Sequence, residues 1–261
     1  MAGAPGLEIW GPYEEYLDIR AKILEEGTEF GIVPVGCRAY ATNTLESGWI
    51  PSPLPAVYSG DSLKDYREWL PGTSYEANAS IGGSFYSDKI EDYYFTPWDL
   101  SYGGFVKFDH DFIGAEALKE KQEDKHRVKV TLALDDEDVL RCIGSQFGKE
   151  DRAKFMEFPS AVYSMHPFDR VMVGDDLAGV STWVGYSSNE RKMLTLAVLD
   201  AEHAKPGQKV TFIWGEENGG SKKPTVEPHS QYAISAIVSP VPYAEVARTS
   251  YAGNDGWRGK L

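Results

Sequence analysis

The feature that most constrains the fold is a series of short β-rich runs between residues 128 and 241. Gly, Pro, Asn and Asp separate the runs, and apolar and polar residues alternate within the first and the sixth of them. Such alternation between regularly spaced turn signals is typical of antiparallel strands, and it predicts either a barrel or a sandwich. The runs are VKVTLAL, AVYSM, RVMVGD, GVSTWVGY, MLTLAVL, KVTFIW and YAISAIV.

The first half of the chain has a mixed pattern. Apolar residues close to the N-terminus predict a strand at 7–10, and helical spacing of apolar residues predicts a helix at 12–26. A second helix is predicted at 37–47, where Arg38, Thr42 and Leu45 would share one side. Further along, a short strand is predicted at 105–108 and a helix at 114–123. This half therefore combines helices with little regular β-structure.

A proline-rich stretch and a charged stretch divide the chain. Four prolines fall within residues 49–75, where they limit regular structure. The charged run KEKQEDKHR at 119–127 is typical of a solvated helix end and a linker. We therefore predict one domain at 1–125, a second at 126–243, and a polar tail at 244–261 that is poorly ordered at its end.

The charge balance excludes some classes of partner. The chain has 26 Lys and Arg residues against 40 Asp and Glu residues, a formal net charge of −14. Affinity for a phosphate backbone or an anionic membrane surface depends on clustered cations, so nucleic acid and membrane partners are not expected. No apolar run has the length of a membrane span and no basic region precedes an apolar core, which predicts a cytoplasmic protein.

Few motifs suggest metal or redox chemistry. Cys37 and Cys142 lack the spacing of a zinc site or a disulfide framework, and both are predicted to be packing residues. The acidic residues at 135–138 lack the turn glycine and the ligand spacing of a calcium loop, and they predict a solvated turn. The sequence DHD at 109–111 is interpreted as a polar turn before a helix, so no metal site is predicted.

Aromatic residues and carboxylates are concentrated near the N-terminus. Aromatic faces together with a carboxylate suit a flat heterocycle that carries amide-like N–H donors, whereas the alternative interpretation is an aromatic-rich core. The residues concerned are Glu8, Trp10, Arg38, Tyr40, Glu46, Trp49 and Tyr58.

Three motifs then give the sequence a family resemblance. They are GLEIWGP at 6–12, GCRAYATNTLESGWIPSPLP at 36–55 and DFIGAEAL at 111–118. The sequence resembles the folate-binding superfamily of the glycine-cleavage T-protein, and in the first two motifs its branch of tetrahydrofolate-dependent aryl O-demethylases, which act on vanillate or syringate. The resemblance implies an α+β protein, in which part of a folate-binding α/β domain is followed by a C-terminal antiparallel β-barrel.

The resemblance also implies a reaction and its residues. In the family, a methyl group passes from an aryl methyl ether to N5 of tetrahydrofolate, which gives 5-methyltetrahydrofolate and a phenol. By motif position, Tyr40 is the catalytic residue, Glu8 hydrogen-bonds the pterin and Trp49 packs on the folate. Arg38 either contacts the folate or braces Glu46.

The position of GLEIWGP affects the expected activity. Family members are longer and carry this motif near their middle, so the chain is expected to represent their C-terminal portion, in truncated or split form. The strand at 7–10 would then need a second chain or self-association to cover it. Two alternatives remain: a non-catalytic folate-binding or interaction module, and a glycine-cleavage-type aminomethyltransferase, against which the sequence ESGWIPSPLP argues.

Overall fold

The computed structural model describes residues 6–51, 53–149, 151–220 and 226–251. It combines helices with a closed six-stranded antiparallel barrel, which confirms the α+β prediction and decides for a barrel over a sandwich. The helices are α1 (Tyr16–Gly27), α2 (Cys37–Ser47), α3 (Lys64–Trp69), α4 (Ala115–Lys121) and α5 (Asp136–Gly144). The strands are β1 (Ile81–Gly82), β2 (Val128–Leu134), β3 (His166–Pro167), β4 (Asp169–Val173), β5 (Asp176–Ser187), β6 (Lys192–Leu199), β7 (Lys209–Trp214) and β8 (Tyr232–Ser239).

The barrel closes in the order β2-β6-β5-β4-β7-β8, with β2 antiparallel to both β6 and β8. Its interior is a single apolar cluster that contains Leu132, Phe212 and Trp214, each at most 1% exposed. Because pleated side chains alternate between faces, β6 gives Met193 to this interior and Leu194 to the outside. Both faces of β6 are nevertheless buried, since other parts of the chain cover the barrel from outside.

Two clusters form that outer cover. In the first, Leu45 of α2 and Ile50 pack on the outward residues of β6. In the second, Leu54 and Tyr93 pack on Phe168 and its neighbours. The described residues at 45–50, 54–58 and 85–100 thereby contribute side chains that pack on the barrel wall.

Several predicted strands do not form. Residues 7–10 are not a strand, and their side chains are open to solvent, with Leu7 92%, Ile9 63% and Trp10 82% exposed. A strand needs a neighbour to satisfy its backbone, and within the described residues this segment has none. The predicted strand at 105–108 is also wrong: the chain leaves the 3₁₀ turn Gly103–Phe105 in extended form without pairing.

The run AVYSM at 161–165 is the one β-rich run of the second half that forms no strand. A single bridge joins Ser160 to Gly185, and the short strand β3 follows. The other six runs each coincide with a barrel strand.

The helices predicted at 12–26, 37–47 and 114–123 are confirmed as α1, α2 and α4, but α5 contradicts the predicted turn at 135–138. Asp135 is the N-cap of α5, and its Oδ1 accepts hydrogen bonds from the backbone N–H of Glu137 and Asp138, both at 3.1 Å. Acidic residues in a first turn also complement the helix dipole. The acidic run is therefore a helix start and not the predicted solvated turn.

The cysteines differ in their surroundings. Cys142 is buried in the barrel core, as predicted, but Cys37 is exposed at the first residue of α2, so the packing prediction is wrong there. Among the described residues, no helix is long and apolar enough to cross a lipid bilayer. The domain boundaries at 125 and 243 stay a prediction, and residues 252–261 of the predicted tail lie outside the described residues.

Candidate functional site

Tyr40, the fourth residue of α2, and Trp49, which follows the end of that helix, lie side by side. Their ring centroids are 6.0 Å apart with an interplanar angle of 77°, an edge-to-face arrangement. Gly48 makes this possible because it ends the helix in the left-handed region, with φ +73° and its N–H bonded to the Thr44 carbonyl at 2.9 Å. The chain turns back there, and Trp49 comes beside the helix that carries Tyr40.

The C-terminal end of α2 is firmly packed on the barrel, whereas its N-terminal end is open. Leu45 is fully buried against Leu194 and Leu196. A Cβ at Gly48 would collide with Val241, so only glycine fits the close approach of the helix end to the segment after β8. Tyr40, about one and a half turns before Leu45, remains 48% exposed.

Arg38 and Glu46 do not brace one another within the part of the chain that the structure describes. Arg38 lies exposed in the first turn of α2. The Glu46 carboxylate instead accepts hydrogen bonds from Ser187 Oγ at 2.5 Å and from Asn189 Nδ2 at 3.1 Å. Bracing of Glu46, one of the two roles left open for Arg38, is therefore not seen among the described residues, and contact with the folate stays a prediction.

Among the described residues, no hydrogen bond, ion pair or ring contact joins Glu8 to the Tyr40–Trp49 pair. It lies in an exposed, extended segment, where its side chain has no hydrogen-bond or ion-pair partner among the described residues. The strand predicted at residues 7–10, which includes Glu8, does not form, and the predicted contact of Glu8 with the pterin stays a prediction. The structure therefore joins Tyr40 with Trp49 and leaves Glu8 and Arg38 exposed.

The remaining aromatic candidates divide between core and surface. Tyr58 packs in the outer cluster near Tyr93, and its hydroxyl donates to the Glu76 carbonyl at 3.1 Å. Burial, followed by the nearby Glu76 carboxylate, raises the Tyr58 pKa above its ordinary value. Trp10 lines an open groove beside α1, so the core interpretation holds for Tyr58 but not for Trp10.

That groove is an apolar concave surface near the N-terminus. It encloses about 560 Å³ between the extended segment and α1, and none of the residues of α1 is buried. Tyr13 and Tyr16 stack at one end, with ring centroids 6.4 Å apart and planes 12° apart. The groove is lined by Ile9, Trp10, Gly11, Pro12, Tyr13, Tyr16, Ile19, Arg20, Ile23 and Leu24.

A buried charged cluster on the barrel was not found from the sequence. Lys154 is 3% exposed, and its Nζ lies 2.8 Å from Glu216 Oε1, which also accepts the Gly83 N–H at 3.1 Å. Asp169, 2% exposed, accepts the Ser84 N–H at 2.9 Å. The cluster ties the chain around residue 83 to the barrel strands.

Burial and pairing act differently on the two carboxyls of this cluster. Burial raises the pKa of Asp169 to about 6, against the opposing pull of Lys154 and of the Ser84 N–H. Burial also works to raise the pKa of Glu216, but the hydrogen bond and charge of Lys154 outweigh it, and the pKa of Glu216 lies below its ordinary value. The partners are up to 133 residues apart, so no sequence motif could have marked this cluster.

Comparison with known proteins finds no matching family model. The chain is 56% identical over 260 residues to syringate O-demethylase from Sphingobium sp., covering 100% of this chain and 56% of that protein. It is 28% identical over 237 residues to sesamin methylene transferase from Sinomonas sp., covering 85% of this chain and 52% of that protein. Aminomethyltransferase from Caldanaerobacter subterraneus is 24% identical over 212 residues, with 81% of this chain and 41% of that protein covered.

The chain thus spans about half the length of the curated relatives it matches. Its similarity to the O-demethylase extends over the whole chain, and the weaker similarity to an aminomethyltransferase connects it with the T-protein itself. The resemblance carried by the three motifs is confirmed: this chain is related over its full length to the tetrahydrofolate-dependent aryl O-demethylases of the glycine-cleavage T-protein superfamily.

Proposed function

We propose that this chain carries the tyrosine-bearing part of a tetrahydrofolate-dependent aryl O-demethylase. The substrate class would be methoxylated aromatic acids such as syringate or vanillate, and the products 5-methyltetrahydrofolate and a phenol. One observation carries the proposal: Tyr40 lies exposed beside Trp49 on an anchored helix, in a chain 56% identical to syringate O-demethylase. This pair offers a proton donor next to an aromatic surface.

The exposed residues fit the chemistry of the folate. When bound, tetrahydrofolate supplies N5 as the acceptor of the methyl group. Trp49 presents a half-buried ring on which a pterin can stack. Glu8 is an exposed carboxylate that can accept two N–H groups from one edge of such a ring, and Arg38 is an exposed cation near the start of α2.

Tyr40 would meet the main chemical demand of the reaction. The bond between the methyl carbon and the aryl oxygen breaks as a carbon–nitrogen bond forms, and negative charge develops on the departing oxygen. The Tyr40 hydroxyl would donate a proton to that oxygen, and a phenol donor is chemically matched to a phenol leaving group. The nitrogen that accepts the methyl group loses a proton, and this proton replaces the one that Tyr40 donates. The reaction therefore needs no oxidant or reductant.

The apolar groove supports a second part of the proposal, that another chain or a second copy covers residues 9–24. Ile9 is 63% and Trp10 82% exposed in the groove lining, and contiguous apolar surface of this kind is typical of interaction sites. A chain that spans about half of its relatives fits this arrangement, because the unmatched part would supply the rest of the folate and aryl pockets. The predicted cytoplasmic location stays a prediction.

The decisive experiment measures methyl transfer from syringate and vanillate to tetrahydrofolate by chromatographic detection of 5-methyltetrahydrofolate. We expect negligible transfer by this chain alone and measurable transfer when a polypeptide containing the unmatched part of syringate O-demethylase is added. Replacing Tyr40 by Phe should lower the rate in the mixture about 10²- to 10⁴-fold, whereas Tyr86→Phe, at a tyrosine 78% exposed outside the groove and the candidate site, should not. Robust transfer by the chain alone would contradict the split arrangement, and an active Tyr40→Phe mixture would contradict the catalytic role.

The two alternative functions are separated by binding and substrate assays. A non-catalytic folate-binding module should bind tetrahydrofolate in a calorimetric titration, with loss of binding in Glu8→Ala, yet show no transfer in the mixture. The similarity to an aminomethyltransferase is the observation that favours the other alternative. Turnover of an aminomethylated lipoyl carrier, without turnover of aryl methyl ethers, would establish it.

A further inference from the structure

We propose that Glu46 is a positioning residue that fixes the direction of α2, and through it Tyr40, against the barrel. The proposal rests on the proposed function of Tyr40. Glu46 lies six residues after Tyr40, which corresponds to about 9 Å along the helix axis and to a different face of the helix. Its influence on Tyr40 therefore acts through the helix rather than by touching the substrate.

The contacts of Glu46 form a compact anchor on the barrel. Ser187, at the end of β5, is fully buried and donates its hydroxyl to Glu46 Oε1 at 2.5 Å. Asn189, in the turn before β6, donates to Oε1 at 3.1 Å and reaches Oε2 at 3.3 Å. Ser187 Oγ also accepts the Glu190 N–H at 3.1 Å, so the turn itself holds the hydroxyl in place.

A carboxylate at this position is not explained by the stability of the helix. Glu46 lies in the last turn of α2, where the helix dipole and the free carbonyls disfavour negative charge. The donors from Ser187 and Asn189 compensate this unfavourable placement through a contact that spans 141 residues of sequence. Glu46 thus acts at the junction between helix and barrel.

The anchor is effective because α2 is held at one end only. Thr44 and Leu45 are buried, and the Ala244 N–H bonds the Glu46 carbonyl at 3.1 Å. Cys37 and Arg38, at the other end, are exposed. A small rotation at Glu46 would therefore displace Tyr40 by a larger amount, and misplacement by about 1 Å can lower a rate about 10²-fold.

The test uses the full chain with 3-fluorotyrosine incorporated at position 40, which gives a single ¹⁹F resonance that reports the surroundings of this ring without any need for activity. Glu46→Ala should shift or broaden the resonance, whereas Glu190→Ala, which removes a carboxylate from the same turn, should leave it unchanged. The double variant Glu46→Gln with Asn189→Asp exchanges donor and acceptor between the partners, and it should restore the resonance. Circular dichroism confirms that each variant is folded.

The same variants, without the label, are assayed for methyl transfer in the mixture described above. Glu46→Ala should lower kcat about tenfold to a hundredfold with a smaller change in KM, and the double variant should recover most of the loss. An unchanged resonance in Glu46→Ala, or a change equalled by Glu190→Ala, would overturn the proposal. If the resonance responds as expected but the wild-type mixture shows no transfer, the proposed function fails while the anchoring of Tyr40 by Glu46 stands.

Discussion

The barrel and the N-terminal segment, defined as residues 6–36, use similar residues in opposite ways. In the barrel, Phe212 and Trp214 are at most 1% exposed. In the N-terminal segment, Phe30 and Trp10 are each 82% exposed, and α1 contains no buried residue. The two regions show that an apolar pattern predicts where a buried face should be, but not what will bury it.

The difference has a physical origin in the backbone. Every strand of the closed barrel has two neighbours, so its apolar interior and its hydrogen bonds are satisfied within one chain. A single helix with one apolar side satisfies its backbone but not that side. Helix α2 lies between these cases, because one end packs on the barrel and the other carries the exposed candidate site.

The largest expected effect on stability comes from removing a buried phenylalanine of the barrel, and its control is an exposed phenylalanine of the N-terminal segment. Phe212→Ala should lower the free energy of unfolding by about 3–5 kcal/mol, because it removes a fully buried ring from the barrel. Phe30→Ala should change it by less than about 0.5 kcal/mol, because that ring is already in solvent. Urea unfolding followed by circular dichroism measures both values, and equal losses would contradict the contrast between the regions.

The next effect concerns the buried ion pair. Lys154→Ala should destabilise the chain by about 3 kcal/mol, because it leaves Glu216 buried without its cation. The matched control is Lys64→Ala, whose pair with Glu68 is exposed on α3 and should contribute less than about 0.5 kcal/mol. A loss at Lys154 no larger than that at Lys64 would show that the cluster does not tie the segment around residue 83 to the barrel.

The pH dependence of stability tests the same cluster through Asp169. Its carboxyl titrates at an ordinary pKa of 3.8 when unfolded and at about 6 when folded, so between these values only the folded state keeps the proton. The stability contributed by this group is present at low pH and is lost as the pH rises through about 6. Wild type should therefore lose about 1 kcal/mol relative to Asp169→Asn between about pH 5 and pH 7.5.

The control for this titration is Asp175→Asn, which changes an exposed carboxyl in the turn between β4 and β5. Its stability should follow that of wild type across the same pH range. A constant difference between wild type and Asp169→Asn would mean that Asp169, with Lys154 and Glu216 beside it, does not hold a proton near neutral pH.

The smallest expected effect on stability comes from a substitution in the apolar groove beside α1. Ile9→Ser should alter the free energy of unfolding of the isolated chain by less than about 0.5 kcal/mol, because Ile9, which lines the groove, is 63% exposed. In the mixture with the complementary polypeptide, the same change should weaken association in sedimentation velocity runs. A stability loss above about 1 kcal/mol in the isolated chain would instead show that the groove is covered by self-association.

Local periodicity predicted the elements with strong repeating patterns. Six of the seven β-rich runs became barrel strands, α1 lies where its apolar spacing placed it, and α2 spans the predicted residues 37–47. The predicted strand at residues 7–10 failed, because strand formation depends on a partner that periodicity does not supply. Helix α5 was missed because its acidic first turn has the same composition as a solvated loop.

The candidate site was predictable only in part. Tyr40 and Trp49 were selected by their motif positions, and the structure places their rings in contact. The anchoring of Glu46 by Ser187 and Asn189 gave no signal, because Glu46 and Ser187 are 141 residues apart in the sequence and each residue type is common on surfaces. Sequence similarity could name the helix that carries the site but not what holds it.

The sequence by itself determined the positions of the barrel strands, the helix of Tyr40 and the family resemblance, since these depend on side-chain period and on short contiguous motifs. The tertiary structure decided strand order, the Lys154–Glu216 pair across 62 residues and the side of α2 that packs on the barrel. Those features depend on which distant surfaces bury one another. The free energy of burial belongs to the contact between two segments and is not encoded in either segment alone.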